Sequence, residues 1–172
     1  MKKNIVSFIL CLLFASNIAF GQFTDLSKVS VLISPKIKME VQESAMRILI
    51  EEVSARSGIS LNKVKDWKSS ENTVIALEIS NSKKLIGQPV PLRDTNKDPE
   101  YKAEGFRLYL EKTSDKTILW ILGADSRAVI FGIGELLRTS KLSQDQFSIS
   151  ETLDIASSPS YPLRGHLDIL DS

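Results

Sequence analysis

Two stretches of this chain repeat with a period of two, and a third follows that is apolar on both faces; together they restrict the fold more than any other feature. Ile75, Leu77 and Ile79 alternate with Val74, Ala76 and Glu78. This predicts a strand over Thr73 to Ser80, in a sheet covered mainly on its strongly apolar face. From Glu104 to Lys112, Phe106, Leu108 and Leu110 alternate with Arg107, Tyr109 and Glu111. Ser114-Asp115-Lys116 supplies a turn, and Thr117 to Leu122 returns as an apolar strand. The pair reads as a hairpin whose second strand is the more central.

Two other segments change the period to that of a helix. Met46, Leu49, Ile50 and Val53 form one stripe, Glu43, Arg47 and Glu51 keep another face wet, and Gly58 sits where a left-handed cap is wanted. Asp125 or Ser126 can cap a second helix with Val129, Ile133, Leu136 and Leu137 on its apolar side. Gly132 and Gly134 lie inside it, each costing about 1 kcal/mol against alanine, which predicts close packing of another backbone. Val29 to Ile33 and Phe147 to Ile155 complete the strands, and Asn81 to Glu100, with Gly87, Pro89, Pro91 and Pro99, reads as a loop. The order β-α-β-β-β-α-β predicts an α+β two-layer domain: a mainly antiparallel sheet with two helices on one face.

The N-terminus reads differently. Lys2 and Lys3 precede an apolar run from Ile5 to Phe14, and Ala19-Phe20-Gly21 offers small residues for cleavage. Residues 1–21 are therefore expected to be a secretory signal peptide, since the run is too short for the about 20 residues of a membrane span. The mature chain is expected in the periplasm or outside the cell. Cys11, the only cysteine, leaves with the leader, so no disulfide can help the domain. Removing Lys2 and Lys3 from the 22 basic residues leaves 20 against 21 acidic ones. With no basic stripe or polybasic segment, nucleic acid and membrane surfaces are not expected partners.

Catalytic chemistry needs convergent groups, and the common sets are missing from the sequence. His166 is the single histidine, so no metal site at His/Cys spacing and no supported Ser-His-Asp arrangement can be drawn. No phosphate loop is present, and neither metal nor cofactor is expected. Trp120 lies in an apolar strand and reads as core, whereas Trp67, among Lys65, Asp66 and Lys68, reads equally as packed or as an exposed contact. Trp67 and Tyr101 are the best candidates for a glycan platform. Arg164, between Leu163 and Gly165, is either paired at a domain boundary or aimed into a site.

Two segments together resemble a known arrangement. GADSRAVIFGIGELLRT, from Gly123 to Thr139, is similar to the helix of the accessory domain that precedes the catalytic barrel in glycoside hydrolases of the β-N-acetylhexosaminidase-like and α-glucuronidase-like kinds. The matching positions are Gly123, Arg127-Ala128, Phe131-Gly132 and Leu136-Leu137. YPLRGH, from Tyr161 to His166, resembles the join at which the first barrel strand begins in those enzymes. The likeness extends from the start of the mature chain to about Leu167. It implies a small zincin-like fold, although no His-Glu-x-x-His motif is present, and it implies that Arg164 contacts sugar hydroxyls. No role is carried over to His166.

From this the expected organisation is a signal peptide over 1–21, an α/β accessory domain over 22–157, and over 158–172 a linker with the first strand of a following barrel. Glycoside hydrolysis needs two carboxyl groups about 5 to 9 Å apart. In the family these lie on later barrel strands, so no residue here is assigned a catalytic role, and carbohydrate would be met through the barrel. The expected function is a non-catalytic domain of an exported glycoside hydrolase, with a free-standing exported glycan- or protein-binding module as the alternative.

Overall fold

A computed structural model describes residues 22–93 and 98–160. The signal peptide expected over 1–21 and the barrel strand expected after Ser160, with Arg164, lie outside the described residues. In chain order the elements are β1 (Phe23–Asp25), β2 (Val29–Ile33), α1 (Met39–Ser57), β3 (Asn62–Val64), β4 (Thr73–Ile79), β5 (Lys84–Leu85) and β6 (Gln88–Pro89). A 3-10 turn (Pro99–Tyr101) precedes β7 (Phe106–Lys112), β8 (Thr117–Gly123), α2 (Ser126–Thr139), β9 (Lys141–Ser143), β10 (Gln146–Ser150) and β11 (Asp154–Ser157).

The central sheet has the order β11-β7-β8-β4-β2-β3. A smaller sheet, β1-β10-β9, and the β5-β6 hairpin are antiparallel throughout. The result is the expected α+β two-layer domain, with a mixed sheet inside a mostly antiparallel whole. The β7-β8 hairpin forms, and β8 is the more central member because its other edge pairs with β4. That second pairing is parallel, as are β4 with β2 and β2 with β3. Parallel neighbours need a crossover, and α1 carries the one from β2.

Alternation decides which side chains meet the helices. Val31, Ile33, Ile75, Leu77, Leu108, Leu119 and Ile121 share a core with Leu49 and Val53 of α1 and with Val129, Ile133 and Leu136 of α2. Asp125 caps α2, its Oδ1 accepting from the Ala128 amide at 2.9 Å. Ser126, the other candidate cap, instead accepts from the Lys38 amide at the start of α1, 3.1 Å away. Gly58 ends α1 at φ 73, where a Cβ would be strained.

Four expectations need correction. Thr73 to Ser80 is not covered mainly on one side: Val74, Ala76 and Glu78 are as buried as their neighbours. A second core formed by Leu32, Val64, Trp67, Val74, Ala76, Leu85, Val90, Ile118, Trp120 and Leu122 lies on that face. The stretch from Asn81, read as a loop, therefore covers apolar surface and contains the β5-β6 hairpin. Phe147 to Ile155 is also not one strand, because β10 belongs to the small sheet and β11 to the edge of the central one.

The fourth correction concerns the glycines of α2. A Cβ on Gly132 would stand 2.5 Å from Ile121 Cγ2, so the helix sits hard on β8 there, against a side chain and not against the other backbone that was expected. A Cβ on Gly134 would meet nothing within 4 Å. The two substitutions to alanine are therefore expected to act in opposite directions. Gly132→Ala should destabilise by about 1–3 kcal/mol through overpacking against a buried β-branched side chain, and Gly134→Ala should stabilise by up to about 1 kcal/mol. Urea denaturation of the two variants checks this, and equal signs would contradict the packing described.

Candidate functional site

Arg93, Arg107, Asp98, Glu100 and Asp154 converge where the chain covering the second face returns to the sheet edge. Arg107, on β7, is only 6% exposed. Its Nε and Nη2 donate to Asp154 Oδ1 and Oδ2 at 2.8 and 3.0 Å, and its Nη1 donates to the Pro91 carbonyl at 3.0 Å. The guanidinium also lies 4.3 Å from the centre of the Tyr109 ring. Fork-to-carboxylate geometry of this kind is the strong form of an ion pair. β11 pairs with β7 in a register that sets Asp154 opposite Tyr109 and Ala156 opposite Arg107, which brings the carboxylate within reach.

Arg93 extends the cluster outward. Its Nη2 donates to Asp154 Oδ1 at 3.0 Å, its Nε lies 3.4 Å from Glu100 Oε1, and its Nη1 is 4.0 Å from Asp98. The Tyr101 hydroxyl donates to the Arg93 carbonyl and accepts from the Arg93 amide, both at 3.1 Å. Burial pushes the Tyr101 hydroxyl above its ordinary pKa. The 3-10 turn that carries Glu100 and Tyr101 fits because of Gly105, where a Cβ would collide with the Pro99 carbonyl.

Two buried glutamates accompany these ion pairs. Glu100 is 1% exposed, and among the described residues neither of its oxygens has a hydrogen bond, leaving the 3.4 Å approach of Arg93 as its compensation. Glu78 is fully buried; Oε1 accepts from the Ile79 amide at 2.8 Å and Oε2 has no hydrogen-bond partner. It lies one strand from Arg107 in register, with Leu122 between them. Among the described residues no group of three or more His, Cys, Asp or Glu could hold a metal ion.

The hydrogen bonds from Arg107 hold the Asp154 carboxyl below the usual carboxylate range against the opposing effect of burial, and the charges of Arg107 and Arg93 add to this. Burial opposes the Arg107 charge as well, but Asp154 outweighs it and the guanidinium is raised. Asp154 thus stays ionised with both oxygens engaged. In chemical terms the cluster is a clasp: it fastens the covering segment and the 3-10 turn to β7 and β11.

The glycan candidates from the sequence fall in different surroundings. Trp67 is not an exposed platform: it is 8% exposed, its indole N–H donates to the Leu85 carbonyl at 2.9 Å, and its ring is 6.0 Å from that of Trp120. Tyr101 is half-buried within the clasp. Arg93, Arg107, Glu100 and Asp154 were invisible as a group. Arg107 and Asp154 are 47 residues apart, and alternation marks Arg107 only as belonging to the polar face of its strand.

No family model and no curated protein matches this chain. Among solved structures, it is similar to part of a family GH115 4-O-methyl-α-glucuronidase with specificity for decorated arabinogalactans, at 19% identity and TM-score 0.49, over 80% of this chain and 18% of that one. It is also similar to part of the GH20 β-N-acetylhexosaminidase from Streptomyces coelicolor A3(2), at 13% identity and TM-score 0.49, over 83% and 26%. A chitobiase from Flavobacterium johnsoniae follows at 13% identity and TM-score 0.47, over 82% and 20%. The chain corresponds to only 18% to 26% of these proteins' lengths.

A carboxylate whose pKa is lower folded than unfolded stabilises above its unfolded pKa, and that stability is lost as pH falls through the folded one. Asp154→Asn is therefore expected to cost roughly 2 kcal/mol at pH 7, less than for a fully buried pair because the Asp154 side chain is 38% exposed. The difference from wild type should shrink as pH falls below about 4, where the unfolded carboxyl protonates. Thermal melts from pH 7 down to 2 measure it; a pH-independent difference would remove the ion pair as its cause.

Proposed function

We propose that residues 22–157 form a non-catalytic accessory domain of an exported carbohydrate-degrading enzyme, bracing a catalytic barrel that begins after Pro162. The reading is supported by the helix motif from Gly123 to Thr139 together with the Arg-Gly join at Arg164-Gly165, in a chain that starts with a signal-like leader. The structural observation that carries it is the doubly held Asp154. This residue opens β11, the strand that leads directly to the join, and its two arginines bind it to β7 and to the covering segment. A strand mounted in this way is a stiff base for whatever follows it. In this reading Arg164 faces the sugar and the domain has the zincin-like topology of the resemblance.

The binding-module alternative lost its main support with the burial of Trp67. Two measurements test the bracing reading. N-terminal sequencing of the exported protein should begin at Gln22. The coding frame beyond the Ser172 codon should continue, directly or after one frameshift, into several hundred codons of alternating strand and helix. A protein retained with its leader, or a stop codon with no barrel encoded nearby, would overturn it.

A further inference from the structure

The most strained described residue has no role in the clasp. Ile86 and Gly87 are the two central residues of the β5-β6 hairpin, at φ 45 and 89. Positive φ at both positions is the mark of a type I′ turn, for which Asn-Gly is the favoured pair and a β-branched first residue a rare and costly one. Ile86 is nonetheless 42% exposed and belongs to neither core, so its side chain is not held in the turn by core packing.

What the isoleucine side chain does reach is a cleft of about 530 Å³ lined by Asp66, Trp67, Lys68, Ile86, Gly87 and Gln88. Its two walls are tied together by the Trp67 indole bond to the Leu85 carbonyl, so the cleft is preformed. Asp66 is fixed as well, its Oδ1 accepting from the Ser69 amide and hydroxyl at 2.9 and 3.0 Å. The geometry points to a binding site for a neutral saccharide, with Ile86 against the C–H face of a sugar ring, Asp66, Lys68 and Gln88 on its hydroxyls, and the buried Trp67 as the floor that holds the walls in place.

The chemistry of the lining selects this class. One carboxylate and one ammonium cancel, so no net charge attracts an ionic ligand, and an apolar ligand would desolvate three polar side chains without pairing them. A ring with one apolar face and hydroxyls at its rim satisfies both halves, in a volume ordinary for small ligands. The site goes beyond the bracing reading, which does not require the domain to hold sugar. The two fail separately, because one is read from binding and the other from export and the coding frame.

The test uses the exported chain and three neutral tetrasaccharides, N-acetylchitotetraose, cellotetraose and xylotetraose. At least one is expected to bind with a Kd of about 1 mM and to shift the Trp67 indole N–H resonance. Ile86→Asn should weaken that binding roughly tenfold while raising the melting temperature by about 3 °C, since it leaves the preferred turn pair in place. Gln88→Ala, which leaves the turn residues untouched, should also weaken it. The proposal falls if none of the three sugars binds at about ten times that concentration, or if both variants bind as wild type does. It also falls if Ile86 proves instead to drive self-association that Ile86→Asn abolishes.

Discussion

β8 is apolar on both faces, and this one constraint organises the domain. Leu119 and Ile121 must be covered on one side and Ile118, Trp120 and Leu122 on the other. Two amphipathic helices serve the first face, as a layered α+β fold allows. Among the described residues the second face has no helix, and its cover is short strands and irregular chain: Val64 and Trp67, then Leu85 and Val90. Irregular cover brings unpaired backbone and charged side chains close to apolar surface, where each polar group needs a partner. The Arg107–Asp154 pair, the Pro91 carbonyl and the Tyr101 hydroxyl are those partners.

This explains why the charged residues gather at one edge. Arg107 stands on the face that the covering segment occupies, and its position beside the edge strand lets it bond to β11 and to Pro91 at once. Removal of Asp154 would leave a guanidinium 6% exposed with only the Pro91 carbonyl, the Tyr109 ring and the charge of Glu100 for compensation, which is worse than never having built the pair. Glu100 and Glu78 show the limit of the arrangement, since among the described residues three of their four oxygens have no hydrogen-bond partner. The clasp fastens the same covering segment that carries the Ile86 turn.

The two candidate functions place different demands on the same scaffold. Bracing requires that β11 be rigid where it leaves the sheet, and the clasp provides that. Saccharide binding requires a preformed cleft, and the Trp67–Leu85 bond provides it on the opposite side of the covering segment from the clasp in sequence. Trp67 contributes to both the core and the cleft wall, so its burial removes it as a stacking platform without removing it from the surface that a ligand would meet.

Much of the fold was legible because its signals are local. The β4 and β7 strands, the stripe in each helix, the Asp125 cap and the Gly58 stop all depend on a few neighbouring residues, and each lies where expected, although β4 is covered on both faces and not mainly on one. The site was not legible, since Arg107 meets Asp154 across 47 residues and Ile86 reads as an ordinary apolar residue until its φ is known. Gly132 and Gly134 look alike in sequence, but only one of them faces β8. By itself, then, the sequence determined the two helices and the longer strands β2, β4, β7 and β8, because periodicity is a property of one segment, whereas the short strands β1, β3, β5, β6 and β9 carry too few residues to show a period. Only the tertiary structure decided that β8 pairs in parallel with β4, that both sheet faces are covered and that the charges converge at one edge, because these depend on which distant segments win the same buried surface.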